Sequence, residues 1–230
     1  MNPLAERVAI VTGAAGVLGQ ATVRRFEECG AFTVAVDCDA ERLEEVPGSA
    51  THVCDLTDET SVRETFGRIH QVQGRIDILA NVAGGFAMGP RVEETTADDW
   101  SSMLQINAVT AWLACKYALP IMREADFGRI INVGARAVRK PGARMAPYCV
   151  SKAAVVTLTE VLALECVETG ITANCILPGT IDTPRNRADM PDADHSRWVP
   201  PGDLAAAIAH LADPASRSIN GAIVPVYGRS

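Results

Sequence analysis

The chain has 230 residues, 48% hydrophobic and 21% charged, the balance of an ordinary globular protein long enough to bury one large core. Its net charge of −7 supplies no broad basic face, which excludes nucleic acid and anionic membrane surfaces as expected partners. The seven cysteines are odd in number and form no C-x-x-C pair, so neither a disulfide framework nor a metal site is expected.

In chain order, residues 8–11 are a short apolar run, as in a strand buried on both faces. A Gly-rich turn follows, then a helical stretch to about Cys29 that Gly30 stops. Residues 33–36 predict a second strand and 52–54 a weaker third. A helix is expected over 58–73, ended near Gly74, and a fourth strand over 78–80 that runs into Asn81-Val82-Ala83-Gly84-Gly85. Thr96 opens a capping-box pattern with Asp99 in place of the usual Glu, which predicts a long helix with Pro120 in its end region. A fifth strand is expected over 129–133, a helix over 148–169 closed by Gly170, and a sixth strand over 172–176. Residues 180–201 are polar, Pro-rich and without periodicity, the profile of a functional lid. A last helix over 201–213 and a strand over 222–226 complete the pattern. Strand–helix alternation predicts an α/β fold: a Rossmann-like, doubly wound, mostly parallel sheet with helices on both faces, as one domain over 1–230. No uncharged apolar run reaches the ~18 residues of a membrane span. The segment before the first strand has no basic-then-apolar pattern, and free cysteines fit a reducing compartment, so a cytoplasmic location is expected.

Two constellations carry chemistry. The first is Thr12-Gly13-Ala14-Ala15-Gly16-Val17-Leu18-Gly19, between the first strand and the first helix. Gly13, Gly16 and Gly19 suit a tight turn, close approach to a pyrophosphate and close helix–strand packing. The helix N-terminus adds free N–H groups and a positive dipole end. A plain βα turn is the alternative. Asp37 ends the second strand, where a carboxylate accepts hydrogen bonds from ribose hydroxyls and repels a 2′-phosphate, so NAD(H) is favoured over NADP(H). No basic residue follows Asp37 before Arg42. Asp37 also fits a simple turn role with Asp39.

The second constellation is Tyr148 and Lys152, four apart at the start of a helix and so on one face. A free tyrosine titrates at about 10, and a nearby ammonium favours its phenolate. Such a tyrosine passes a proton to or from a substrate oxygen while hydride moves. Alone, Tyr-x-x-x-Lys is commonly a solvated helix face.

Together with Asp55, Asn81-Val82-Ala83-Gly84, Asn107 and Pro178-Gly179-Thr180-Ile181-Asp182-Thr183, these motifs resemble the short-chain dehydrogenase/reductase family along nearly the whole chain. The resemblance implies catalytic roles for Tyr148, Lys152 and Asn107, the last holding a water in a proton relay through Lys152. It implies a cofactor site made of Gly13, Gly16, Leu18, Gly19, Asp37, Asp55, Leu56, Asn81, Ala83, Gly84, Tyr148, Lys152, Pro178, Gly179, Ile181 and Thr183. Asp55 would meet the adenine amino group and Thr183 the carboxamide. It also implies a small-molecule substrate and a homodimer or homotetramer.

Two departures stand out. Val17 occupies the family's middle glycine position, leaving a Gly-x-x-Gly-x-x-Gly turn. Ala135 stands where the family places a catalytic serine, 13 residues before the tyrosine. Residues 82–89, 134–137 and 177–198 are similar to the quinonoid dihydropteridine reductase branch, which shares both departures and prefers NADH. Ala135, Phe86 and Arg136 are then the expected substrate contacts. Phe86 either stacks on a flat ring or anchors its loop. Arg136 either binds an anionic group or points to solvent. The remaining alternatives are a carbonyl or 3-oxoacyl reductase, an alcohol dehydrogenase, or a non-catalytic dinucleotide-binding protein. The four histidines and Cys149 are expected to be ordinary packing or surface residues.

Overall fold

The computed structural model describes residues 2–229; Met1 and Ser230, the ends of the expected domain, lie outside the described residues. Seven strands form one sheet: β1 (Val8–Thr12), β2 (Phe32–Asp37), β3 (Ala50–Val53), β4 (Ile78–Asn81), β5 (Gly128–Val133), β6 (Ile171–Pro178) and β7 (Ile223–Val226). Their order is β3-β2-β1-β4-β5-β6-β7, and every pairing is parallel. This is the expected Rossmann-like architecture.

The helices are α1 (Val17–Glu28), α2 (Ala40–Leu43), α3 (Glu59–Gln73), α4 (Ala97–Leu104), α5 (Thr110–Glu124), α6 (Ala146–Glu165), α7 (Pro184–Asp189) and α8 (Pro201–Ala212). β1, β4, β5 and β6 are buried along their whole lengths, as strands covered on both faces must be. One core joins the sheet to α1 and α8 through Val23, Phe26, Leu204 and Ile208. The other joins it to α3, α5 and α6 through Phe66, Leu113, Met122 and Leu162.

Chain direction across the sheet reverses at β1, which pairs with β2 on one side and β4 on the other. The crevice beyond the carboxyl ends of β1 and β4 is therefore the switch point at which such folds bind ligands.

The structure corrects one expectation and adds detail around three others. The helix expected from Thr96 is two helices separated by a π turn over Gln105–Val109. Pro120 lies in the end region of α5, as expected, four residues before Glu124. It is on the exposed side, so water reaches the carbonyl it leaves unbonded, and burial of Leu113, Ala118 and Met122 carries the helix through. The segment 180–201 is not structureless: it holds α7 and a 3₁₀ turn over His195–Arg197, and its base is closed by an Ile181–Val199 bridge. α2 was not foreseen, because four residues are too few for a periodic signal.

By length and composition α6 is apolar enough to span a membrane. Seven of its residues, Lys152 among them, are instead buried, so it is a core helix of the sheet.

Candidate active site

The turn after β1 is shaped by backbone contacts. Gly13 has φ +64, and a Cβ there would stand 2.7 Å from the Ala83 backbone. A Cβ on Gly19 would meet the Gly13 carbonyl oxygen at 2.1 Å, so α1 leaves the loop at a spacing only glycine permits. Gly16 caps α1 without a side-chain hydrogen bond, and a Cβ there would meet only Gly13 O, at 3.2 Å. The N–H groups of Val17, Leu18 and Gly19 find no acceptor among the described residues. Open space in front of free donors at a helix N-terminus fits a pyrophosphate. Leu18 itself is buried and packs inward.

Asp37 fills the turn role with Asp39 and is tied to the glycine loop as well. Its Oδ2 accepts from Ala15 N at 3.0 Å and its Oδ1 from Asp39 N at 3.2 Å, which fixes a carboxylate at the end of β2. α2 turns Arg42 back so that its Nη2 donates to Ala15 O at 2.7 Å. A guanidinium thus stands at the same loop, an approach that spacing along the chain concealed. Asp55 Oδ1 accepts from Thr57 N at 2.8 Å and Thr57 Oγ1 at 2.6 Å, and these bonds lower its pKa. Leu56 beside it is buried. Ala83 N donates to Thr12 Oγ1 at 3.3 Å, tying the end of β4 to β1.

Asn81 is buried at the end of β4. Its Nδ2 donates to Asn132 Oδ1 at 2.8 Å, and Asn132 Nδ2 donates to Thr159 Oγ1 at 2.8 Å. This buried chain of polar groups fastens β4 and β5 to α6. Asn81 Oδ1 has no partner among the described residues.

Tyr148 and Lys152 share the first turns of α6. Lys152 is 5% exposed and its Nζ donates to Val133 O at 2.8 Å, leaving two of its three donors free. Burial pulls its pKa down to about 8. Burial likewise pushes Tyr148 up to about 12, opposite to the depression expected from Lys152. Loss of water around the phenol is the largest cause, and the neighbouring Cys149 acts in the same direction, so the phenol keeps its proton.

Asn107 sits on the π turn and is buried. Its Oδ1 accepts from Gly85 N at 3.0 Å, and its Nδ2 donates to Gly85 O and to Ser151 Oγ, each at 3.1 Å. Ser151 in turn donates to Tyr148 O at 2.9 Å. A Cβ on Gly84 would stand 2.7 Å from Asn107 Oδ1 and 3.0 Å from Lys152 Nζ. The strand β4 loop, the π turn and α6 therefore converge on Gly84, and Asn107 and Lys152 flank it. Ser151 and Gly84's steric role were not read from the sequence; helical spacing places Ser151 on the Tyr148 turn but says nothing of its partner.

Gly179 N, just after Pro178, donates to Val226 O at 2.9 Å. Thr183 caps α7 by accepting from Asn186 N at 3.1 Å, and Asn186 Nδ2 donates to Ile181 O at 2.8 Å. Arg187 grips Asp182 with two bonds of 2.6 and 2.8 Å. His195 packs against Trp198, with ring centroids 4.3 Å apart and planes tilted by 48°.

On the open side, Phe86 stands edge-on to Tyr148, centroids 4.9 Å apart and planes at 83°, and is 55% exposed. Ala135 is buried and extended at the end of β5. Half-buried Arg136 follows on a 3₁₀ turn packed against α6. The site thus joins a dinucleotide-shaped turn to a buried lysine, a protonated tyrosine and an aromatic mouth.

A family model described as short chain dehydrogenase matches residues 7–194. The chain is 34% identical to D-threitol dehydrogenase of Mycolicibacterium smegmatis, over 96% of this chain and 92% of that protein. It is 33% identical to L-fucose dehydrogenase of Bos taurus, over 92% and 80% respectively. The structure of NAD⁺-bound xylitol dehydrogenase matches with a TM-score of 0.91 at 27% identity, covering 98% of this chain and 99% of that one. With its turn, its Tyr148–Lys152 pair and these relatives, the chain belongs to the short chain dehydrogenase family of oxidoreductases, which bind a nicotinamide dinucleotide.

Proposed function

We propose that the protein is an NADH-dependent reductase of a small, flat, electron-poor substrate of the quinonoid dihydropterin kind. The observation that carries this reading is Ala135, whose methyl occupies the end of β5 where the family resemblance expects a serine hydroxyl. A methyl cannot donate to a carbonyl, and loss of one such donor costs ~10²–10³ in rate for oxyanion-type chemistry. A quinonoid ring is already electron-poor and needs less polarisation. Phe86 at the mouth offers a face to such a ring.

Bound nicotinamide supplies the hydride. Tyr148 holds a proton at neutral pH and gives it to the substrate. Lys152 is charged below about 8, and its free donors suit a ribose hydroxyl and the phenol oxygen. Asn107, locked on Gly85, orders the neighbouring relay. Asp37 disfavours the 2′-phosphate of NADPH. A cytoplasmic homodimer or homotetramer completes the proposal.

The test is NADH oxidation with freshly generated quinonoid dihydropterin, run beside ketones and 3-oxoacyl thioesters and repeated with NADPH. Fast pterin turnover with NADH is expected. Tyr148→Phe should lower turnover by about 10²–10⁴-fold and leave NADH binding intact; full activity in that variant sinks the mechanism. A second reading, oxidation of a polyol, draws support from the names of the D-threitol and xylitol dehydrogenases. It requires Ala135→Ser to raise turnover of alcohols and ketones. Tight NADH binding with no acceptor turned over would favour a non-catalytic dinucleotide-binding role.

A further inference from the structure

Between Asp126 and Glu160 the chain has no acidic residue and six basic ones, although the protein as a whole carries −7. Two of the six are engaged inside the fold. Arg129 is buried on the carbonyls of Gly128, Gly170 and Pro214, and Lys152 holds Val133 O. The other four, Arg136, Arg139, Lys140 and Arg144, lie on the loop that runs from Ala135 to the turn before Tyr148.

Arg144 is used to fix that loop. Its Nη1 donates to Gly89 O at 3.2 Å, and Gly89 N donates back to Arg144 O at 3.1 Å. The stitch holds the cationic loop against the segment that carries Phe86. Arg136 is half-buried, Arg139 and Lys140 are exposed, and none of the three has an ion-pair partner among the described residues. In the lid, by contrast, Arg187 is neutralised by Asp182 and Arg185 by Asp189.

Three like charges kept clear of carboxylates on an acidic protein concentrate anions at that spot. The cofactor's pyrophosphate does not account for them. β5 lies two strands from β1 in the sheet order, roughly 10 Å away at the usual strand spacing, on the side of Tyr148 and Phe86.

We propose that the substrate's flat ring bears an anionic oxygen group, a carboxylate or a phosphate, that Arg136 binds while Arg139 and Lys140 draw it in. The planar guanidinium presents paired donors to such a group, and half-burial shields the contact from salt better than a surface pair. The inference rests on the flat-ring reading above and adds a charge to it.

Calorimetric titration of the NADH-loaded protein separates ring from charge with two matched pairs: pterin-6-carboxylate against 6-hydroxymethylpterin, and benzoate against benzyl alcohol. Each anion should bind about tenfold tighter than its neutral partner at low salt, with the preference shrinking as salt rises. Arg136→Gln should bring each anion down to its neutral partner's affinity. Should that variant not fold, the exposed pair Arg139→Gln with Lys140→Gln should still weaken anion binding about threefold. Phenyl phosphate binding more tightly than benzoate assigns a phosphate; the reverse order assigns a carboxylate. Equal affinity within both pairs, or an anion preference that survives the substitutions, overturns the proposal. If benzoate outbinds benzyl alcohol while neither pterin binds, the charge stands and the flat pterin-like ring falls. If the two pterins bind equally well, the ring stands and the charge falls.

Discussion

The two halves of the crevice are built by different means. On the side of β1, β2 and β3, the nucleotide turn is made of backbone: glycine spacing, a helix N-terminus and one carboxylate held by Ala15 N and Asp39 N. On the side of β4, β5 and α6, the chemistry is made of buried side chains that meet from three separate elements. The first side tolerates almost no added atoms but little polar balancing is needed there. The second depends on a connected set of buried hydrogen bonds. Crowding the glycines of the first side should therefore act on folding, and crowding the buried side chains of the second on catalysis.

Gly19→Ala is the largest expected effect and tests the backbone side. Its Cβ would overlap the Gly13 carbonyl oxygen at 2.1 Å, with backbone of Ala14 next nearest, and neither is a flexible end that can swing away. We expect a loss of about 3 kcal/mol or more in urea unfolding, or no folded protein. A Gly19→Ala variant of wild-type stability would break the contrast. Gly84→Ala tests the other side. Its Cβ would press on Asn107 Oδ1 and Lys152 Nζ, both of which are side-chain ends. A displacement of even 1 Å costs ~10² in rate, so kcat should fall by about that factor with only a small change in unfolding. Equal damage to stability and rate would show that the two sides are not separable in this way.

The same contrast explains what could be read from the sequence. Backbone-made features are local: Gly13, Gly16 and Gly19 stand within seven residues, and Asp37 closes the next strand, so the turn and its partner carboxylate were legible. β1 was legible because a strand covered on both faces reads as a continuous apolar run. The lysine–tyrosine pair was legible because helical spacing is fixed. What was hidden is long-range. The π turn that bears Asn107 differs from a plain helix by one residue of winding, which no pattern of apolar residues reports. The Asn81–Asn132–Thr159 chain joins positions on β4, β5 and α6. The folded lid was hidden too, because its order comes from Asp182–Arg187 and Ile181–Val199 contacts rather than from a buried apolar face.

Lys152 offers a test of intermediate size. Its pKa of about 8 in the fold lies below the usual lysine value, so between about 8 and 10.5 the unfolded chain binds a proton that the folded chain has lost. Stability from this group therefore rises with pH through that window, by about 1.4 kcal/mol per pH unit. Below about 8 both forms are protonated and the burial cost is present in full; above about 10.5 it is gone. Tyr148, raised to about 12, acts in the opposite sense: above about 10 the unfolded chain loses a proton that the fold retains, and stability falls. Unfolding measured from pH 7 to 10 in the wild type and in Lys152→Met should show the wild type gaining on the variant as pH climbs. Parallel profiles would mean that Lys152 is solvated in solution, and the buried-site description of this half would fail.

The smallest effect sharpens the nucleotide side. Asp37 and Arg42 both reach Ala15, one through its N–H and the other through its carbonyl, so a carboxylate and a guanidinium flank one residue of the glycine loop. In the proposed reading, the Asp37 carboxylate opposes a 2′-phosphate and so sets the choice of NADH. Asp37→Ser removes that charge and leaves Arg42 as the nearest cation on the loop. The ratio of kcat/KM for NADPH over NADH should rise about tenfold, which is about 1.4 kcal/mol in differential binding. Adding Arg42→Ala to that variant should take most of the gain back, because the phosphate then has no charge to meet. Non-additivity between the two substitutions is the informative quantity. If Arg42→Ala changes nothing in the Asp37→Ser background, the guanidinium is only a brace for Ala15 O, and cofactor choice rests on the carboxylate alone.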